Sequence, residues 1–192
     1  MSSTRLPRLF VFAGTRRGLV VFGALTLLSG ATMLPALATM ADHGASVLAF
    51  ESAAGVDRSR EILDEWGSAG KTAMWWQLAL DMPFLVGYGL FLAGACAAVA
   101  HRARETGQPR LERAAAVFVW LGPIAAASDF TQNVSLALLL SGHVEQPWPR
   151  ISALAAPTTT WLGAAAAVFA LAGAVATRRR TRQGNPDEPG FV

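Results

Sequence analysis

Two aspartates, Asp81 in "LALDMPFLVGYGL" and Asp129 in "SDFTQNVSLALLL", lie in apolar surroundings that penalise a bare carboxylate. Carboxyls held at different depths with different neighbours titrate apart, which is what general acid and base chemistry requires. Gln77, Asp81 and Tyr88 follow one another at intervals of four and seven, so a helix presents all three on one face. Ser128, Asp129, Gln132 and Asn133 fall mostly on one face of a second helix. The expected roles are proton transfer or catalysis for Asp81 and Asp129. Gln77, Tyr88, Ser128, Gln132 and Asn133 then form a ligand-binding or polar network.

The elements that position these residues follow from composition. Of 192 residues, 53% are hydrophobic and only 15% charged, which points to a membrane protein. Four apolar stretches, about 18–41, 72–100, 114–141 and 151–177, each reach the roughly 20 residues a helix needs to cross hydrocarbon. The expected fold is all-α, an integral membrane four-helix bundle with a short amphipathic helix in the first external loop. Residues 1–17 would be a cytoplasmic arm, 18–177 the transmembrane domain and 178–192 a basic, disordered cytoplasmic tail. Nearly the whole chain is used by the spans, so any chemistry falls to the bundle and its loops. The start of the chain resembles a signal peptide at "ALATMA", but its apolar stretch is too long for a signal core and is expected to stay as span one.

Depth brings the two polar faces together. Taking Trp76 and Ser141 as markers of one interface, a rise of about 1.5 Å per residue puts Asp81 about 8 Å and Tyr88 about 18 Å down. Asn133 then lies about 12 Å and Asp129 about 18 Å down span three. In an antiparallel pair Tyr88 is level with Asp129, and Asp81 lies within a turn of Asn133 and Gln132. Lipid would penalise these faces, so both should point into the bundle.

Charge sets the expected orientation. The arm, the loop between spans two and three and the tail hold twelve of the sixteen basic residues, and they belong on one side, the cytoplasmic one. The net positive charge thus reflects topology and implies no nucleic-acid partner. The opposite side is acidic, and its one long loop, Asp42 to Lys71, contains "DRSREILDEWG". There Ile62, Leu63 and Trp66 recur at helical spacing, Asp57 or Ser59 can cap, and Gly67 can stop a surface helix with Trp66 at the interface. Gly163 with Ala167 and Ala166 with Ala170 predict close packing of span four.

Other chemistry is excluded or weak. Cys96 is the only cysteine, which rules out dithiol exchange within the chain. His43 beside Asp42 and His143 near Glu145 match no ligand spacing, so no metal is expected. No phosphate loop or nucleophile elbow occurs, and no cofactor is expected.

The runs "FESAAGVDRSREILDEWG", "LALDMPFLVGYGLFLAG" and "SDFTQNVSLALLL" together resemble a group of uncharacterised bacterial four-helix membrane proteins. The resemblance covers residues 50–140 and is carried by Asp81, Phe84, Tyr88, Asp129 and Asn133, which adds Phe84 to the candidate set. That group has an acid immediately before the asparagine, where this chain has Gln132, so an activity needing that acid is in doubt. The resemblance implies a multi-pass protein of a bacterial plasma membrane and supplies no established function. The layout is also similar to that of emopamil-binding and sterol-isomerase-like membrane proteins, an analogy of architecture alone. Three functions fit: binding or conversion of a small lipid-soluble molecule, a non-catalytic accessory protein with a structural polar network, or a small proton-coupled transporter. The expected partners are the lipid bilayer and such a molecule.

Overall fold

The structure, a computed structural model, describes residues 6–183 and the side chains of residues 6–178. It consists of α1 (Arg8–Ala13), α2 (Arg16–Asp42), α3 (Val47–Glu51), α4 (Val56–Glu105), α5 (Pro109–Phe118), α6 (Leu121–Leu140) and α7 (Trp148–Gln183). No strand occurs among the described residues. Four stretches, Arg16–Asp42, Val56–Glu105, Pro109–Leu140 and Trp148–Arg178, are long and apolar enough to cross a membrane. The last helix continues through the basic run to Gln183, beyond the boundary at 177 expected from composition. Arg5 and residues 184–192 lie outside the described residues.

Helix α4 is the hub, packing against each of the other six. Its glycines explain why. A Cβ on Gly87 would meet the Thr26 backbone of α2 at 2.9 Å, and one on Gly89 would meet the Ala126 side chain of α6 at 2.9 Å. A Cβ on Gly94 would lie within 2.5 Å of the Ala13 carbonyl carbon in α1. From the other side, a Cβ on Gly122 would meet the Gly89 carbonyl oxygen at 2.5 Å. Such approaches let backbones touch and gain dispersion contacts. The expectation had put small-residue packing on span four. Ala166 and Ala170 are indeed buried there, but Gly163 has only Leu92 Cδ1 near it, at 3.9 Å.

The expected arm is partly built into the bundle. Phe10 and Ala13 of α1 are buried, and the Phe10 ring meets Trp120 edge-on at 4.9 Å. Thr15 then caps α2 by accepting from the Gly18 N–H at 3.1 Å.

At the opposite end the chain folds back as a cap. Residues 56–66 form a helix that stops at Gly67, whose φ of 54° and ψ of −152° suit glycine alone. Neither Asp57 nor Ser59 caps this helix: Gly55 occupies the N-cap, and Ser59 Oγ donates to the Gly55 carbonyl at 3.0 Å. Trp66 is also placed differently from the interfacial position expected of it. It is wholly buried, donates Nε1–H to the Ala45 carbonyl at 2.6 Å, and packs edge-on against Phe50 at 4.9 Å. Ile62 and Leu63 join it over Met74, Leu78, Leu136 and Leu139, sealing that end of the bundle. Arg60 Nη2 and Gln146 Nε2 fasten the cap by donating to Val144 and Ala54 carbonyls, each at 3.1 Å.

The backbone at Gly67 yields a prediction. No atom lies within 4 Å of a Cβ built there, so Gly67→Ala acts through conformation alone. It should lower unfolding stability by about 1–3 kcal/mol. Gly163→Ala, in mid-helix with free space, should be neutral or mildly stabilising. Thermal unfolding of the two variants in nanodiscs checks both.

Candidate functional site

The site forms where α4, α6 and the cap segment meet. Asp81 is 8% exposed and its Oδ2 accepts from Asn133 Nδ2 across the α4–α6 interface. Further along, Tyr88 Oη donates to Asp129 Oδ2 at 3.1 Å. Depth alone predicts that Tyr88 and Asp129 are level and that Asp81 lies within a turn of Asn133, and the two bonds join those residues. Phe84 lies one turn from each of Asp81 and Tyr88, and its ring packs against Tyr88 at 5.3 Å. It also approaches Gly30 of α2, where a Cβ would lie 3.6 Å from the ring.

The remaining candidates divide. Gln132 is 3% exposed, yet its Nε2 makes no hydrogen bond, so it does not join Asn133 on Asp81 as expected. Gln77 Nε2 donates to Met33 Sδ of α2 at 3.3 Å, and its Oε1 is buried without a donor. Ser128 turns away: its hydroxyl donates to the Ala155 carbonyl of α7 at 3.3 Å. The threonines of the other spans mostly satisfy their own helices, as Thr26 does with Phe22 and Thr158 with Leu154.

A third acid, Glu51, completes the site, although by sequence it is one acid among several in the long acidic loop between spans one and two. Helix α3 carries it there. Ser46 caps α3 by accepting from the Ala49 N–H at 3.3 Å, and the wholly buried Phe50 anchors it against Trp66. Ser152 Oγ of α7 then donates to the Glu51 carbonyl at 3.0 Å. The Glu51 carboxyl is pushed up to about 7, first by burial, then by the charges of Asp129 and Asp81, with the Gln132 side chain opposing the rise. Gln132 therefore faces Glu51 closely enough to act on it, although no bond from Nε2 meets hydrogen-bond geometry. One signal was available in advance: Glu51 ends the apolar run "VLAF", an odd place for a solvated acid.

Three carboxyls, the Tyr88 phenol and the Asn133 and Gln132 amides thus come together, and among the described residues no basic side chain pairs with any of the three acids. Such a set can hold and pass protons, or take a group that brings its own positive charge or donors. No cluster of three or more ligating side chains suited to a metal ion occurs among the described residues, and His43 Nδ1 instead lies 2.8 Å from the Thr39 carbonyl.

No family model, curated protein or solved structure matches this chain.

The raised Glu51 carboxyl has a defined consequence for stability. Its folded value of about 7 exceeds the ordinary 4.5, so the folded protein holds this proton more tightly than the unfolded chain. Its contribution to stability is fully present below about pH 4.5 and is lost as pH rises toward 7. The thermal midpoint should fall across that window in the wild type, and Glu51→Gln should flatten the slope.

Proposed function

We propose that this chain is a multi-pass protein of a bacterial plasma membrane that binds a small lipid-soluble molecule at the Glu51, Asp81 and Asp129 site and exchanges protons with it. Four apolar helices support the membrane reading, as does the apolar surface around them, where Leu27 and Trp161 are each 75% exposed. Large apolar side chains this exposed suit hydrocarbon and not water. Arg16 and Arg17, Arg102 and Arg104, Arg110 and Arg113, and Arg178 stand at the helix ends that share one side, which supports cytoplasmic termini.

The observation that carries the binding reading is the convergence of three acids from three elements without a paired cation among the described residues. A ligand with an amine would meet that charge, and one with an acceptor beside it would meet Gln132 Nε2. Asp81 and Asp129 then act as proton-transferring groups, Glu51 as the group nearest the cap, and Tyr88, Asn133, Gln132, Gln77 and Phe84 as the positioning set.

A structural reading has its own support, because the Asp81–Asn133 and Tyr88–Asp129 bonds tie α4 to α6 directly. Proton-coupled transport has less. Toward the basic end, Phe10, Ala93, Cys96, Ala97, Val119, Ala166 and Ala170 fill the interior and offer no polar relay beyond one thiol.

Thermal shift of the purified protein in nanodiscs, with a panel of lipid-soluble tertiary amines and matched neutral alcohols, separates these readings. At least one amine should raise the wild-type midpoint, Asp129→Asn should abolish the shift, and Trp161→Phe on the apolar exterior should keep it. No shift with any compound, or an equal shift in Asp129→Asn, would leave the structural reading in its place.

A further inference from the structure

At the end of the molecule opposite the acids, a cavity of about 960 Å³ opens between α1, α2 and the last turns of α4. Its walls change character over one helical turn. On α2, Arg16 stands at the rim, with Leu19 and Val20 three and four residues further on, hence on the same face. On α4, Arg102 stands at the rim with Ala98 four residues before it. Val11 of α1 supplies apolar cover from the third side and is 55% exposed. Both helices therefore present a guanidinium above an apolar trough.

The charges at this rim are not neutralised from within. Arg104 donates through Nε and Nη2 to Glu112 at 2.8 and 2.6 Å, and His101 Nε2 lies 3.2 Å from Glu105. Those carboxylates are thus engaged, whereas Arg16 and Arg102 have no carboxylate partner among the described residues. The first turn of α2 also opens at this rim, and a helix N-terminus favours an anion.

We propose that this groove is a binding site for an anionic phospholipid, with the headgroup phosphate between Arg16 and Arg102 and an acyl chain in the trough formed by Leu19, Val20 and Ala98. The two guanidiniums select negative charge, and Arg geometry suits bidentate contact with phosphate oxygens. The apolar wall selects a lipid over a free phosphate. The site is separate from the three acids and rests only on the membrane part of the reading above.

Native mass spectrometry of the protein released from detergent micelles tests this, with dioleoyl phosphatidylglycerol and dioleoyl phosphatidylcholine added in equal amounts. The wild type should retain phosphatidylglycerol about tenfold more than phosphatidylcholine. The double variant Arg16→Gln, Arg102→Gln should lose that preference, while Arg110→Gln, Arg113→Gln, with the same charge change on α5, should keep it. Millimolar glycerol 3-phosphate should not displace the lipid. No preference in the wild type, equal loss in both double variants, or displacement by glycerol 3-phosphate would overturn the proposal. Recovery of the wild type in the membrane fraction, measured alongside, keeps a failed lipid site distinct from a failed membrane reading.

Discussion

The bond from Asn133 to Asp81 is the constraint on which the arrangement of the bundle turns. A carboxyl with 8% exposure needs a donor, and Asn133 supplies it from a neighbouring helix. Once that bond is made, the register of α4 on α6 is set, and Tyr88 meets Asp129 roughly two turns further along. Glycine contacts then let the same two helices close. Gly89 and Gly122 face each other with no room for a Cβ on either, so polar pairing fixes the register and small residues set the distance.

Pairing alone does not explain why the polar set is larger than the two bonds require. A network built only to hold helices would leave few orphaned atoms, yet Gln77 Oε1 and Gln132 Nε2 are buried without partners. Glu51 adds a third carboxyl to a region that already holds two, and burial raises its hold on a proton. The cap that delivers it is tied down by Trp66, Arg60, Gln146 and Ser152. An acid cluster without a paired cation among the described residues, under an anchored cap, supports the binding reading proposed above. The opposite end inverts this pattern, with surplus positive charge above an apolar trough.

Much of this was legible in the sequence because long apolar helices carrying a few polar groups pack in few ways. Apolar length marks the spans, and a rise of about 1.5 Å per residue sufficed to bring Tyr88 to Asp129 and Asp81 to Asn133. Gly67 as a helix stop followed from local backbone chemistry. What depended on the folding back of the long loop was not legible. Glu51 reads as one acid among several in a solvated segment until α3 turns it under the cap. Trp66 reads as an interface marker until its indole finds the Ala45 carbonyl. Gln132 has the right face and depth, but the side chain it acts on is Glu51 of the cap, a neighbour that periodicity within its own helix cannot reveal.

The central claim is that Glu51 and Asp129 belong to one electrostatic site, and infrared difference spectroscopy in lipid tests it directly through the Glu51 carboxyl, assigned by its loss in Glu51→Gln. In the wild type this carboxyl should titrate near pH 7, and in Asp129→Asn its midpoint should move down toward the ordinary carboxyl range because a neighbouring negative charge is gone. A Glu51 midpoint identical in wild type and Asp129→Asn would mean that the acids do not share a site, and the account built on their convergence would fail.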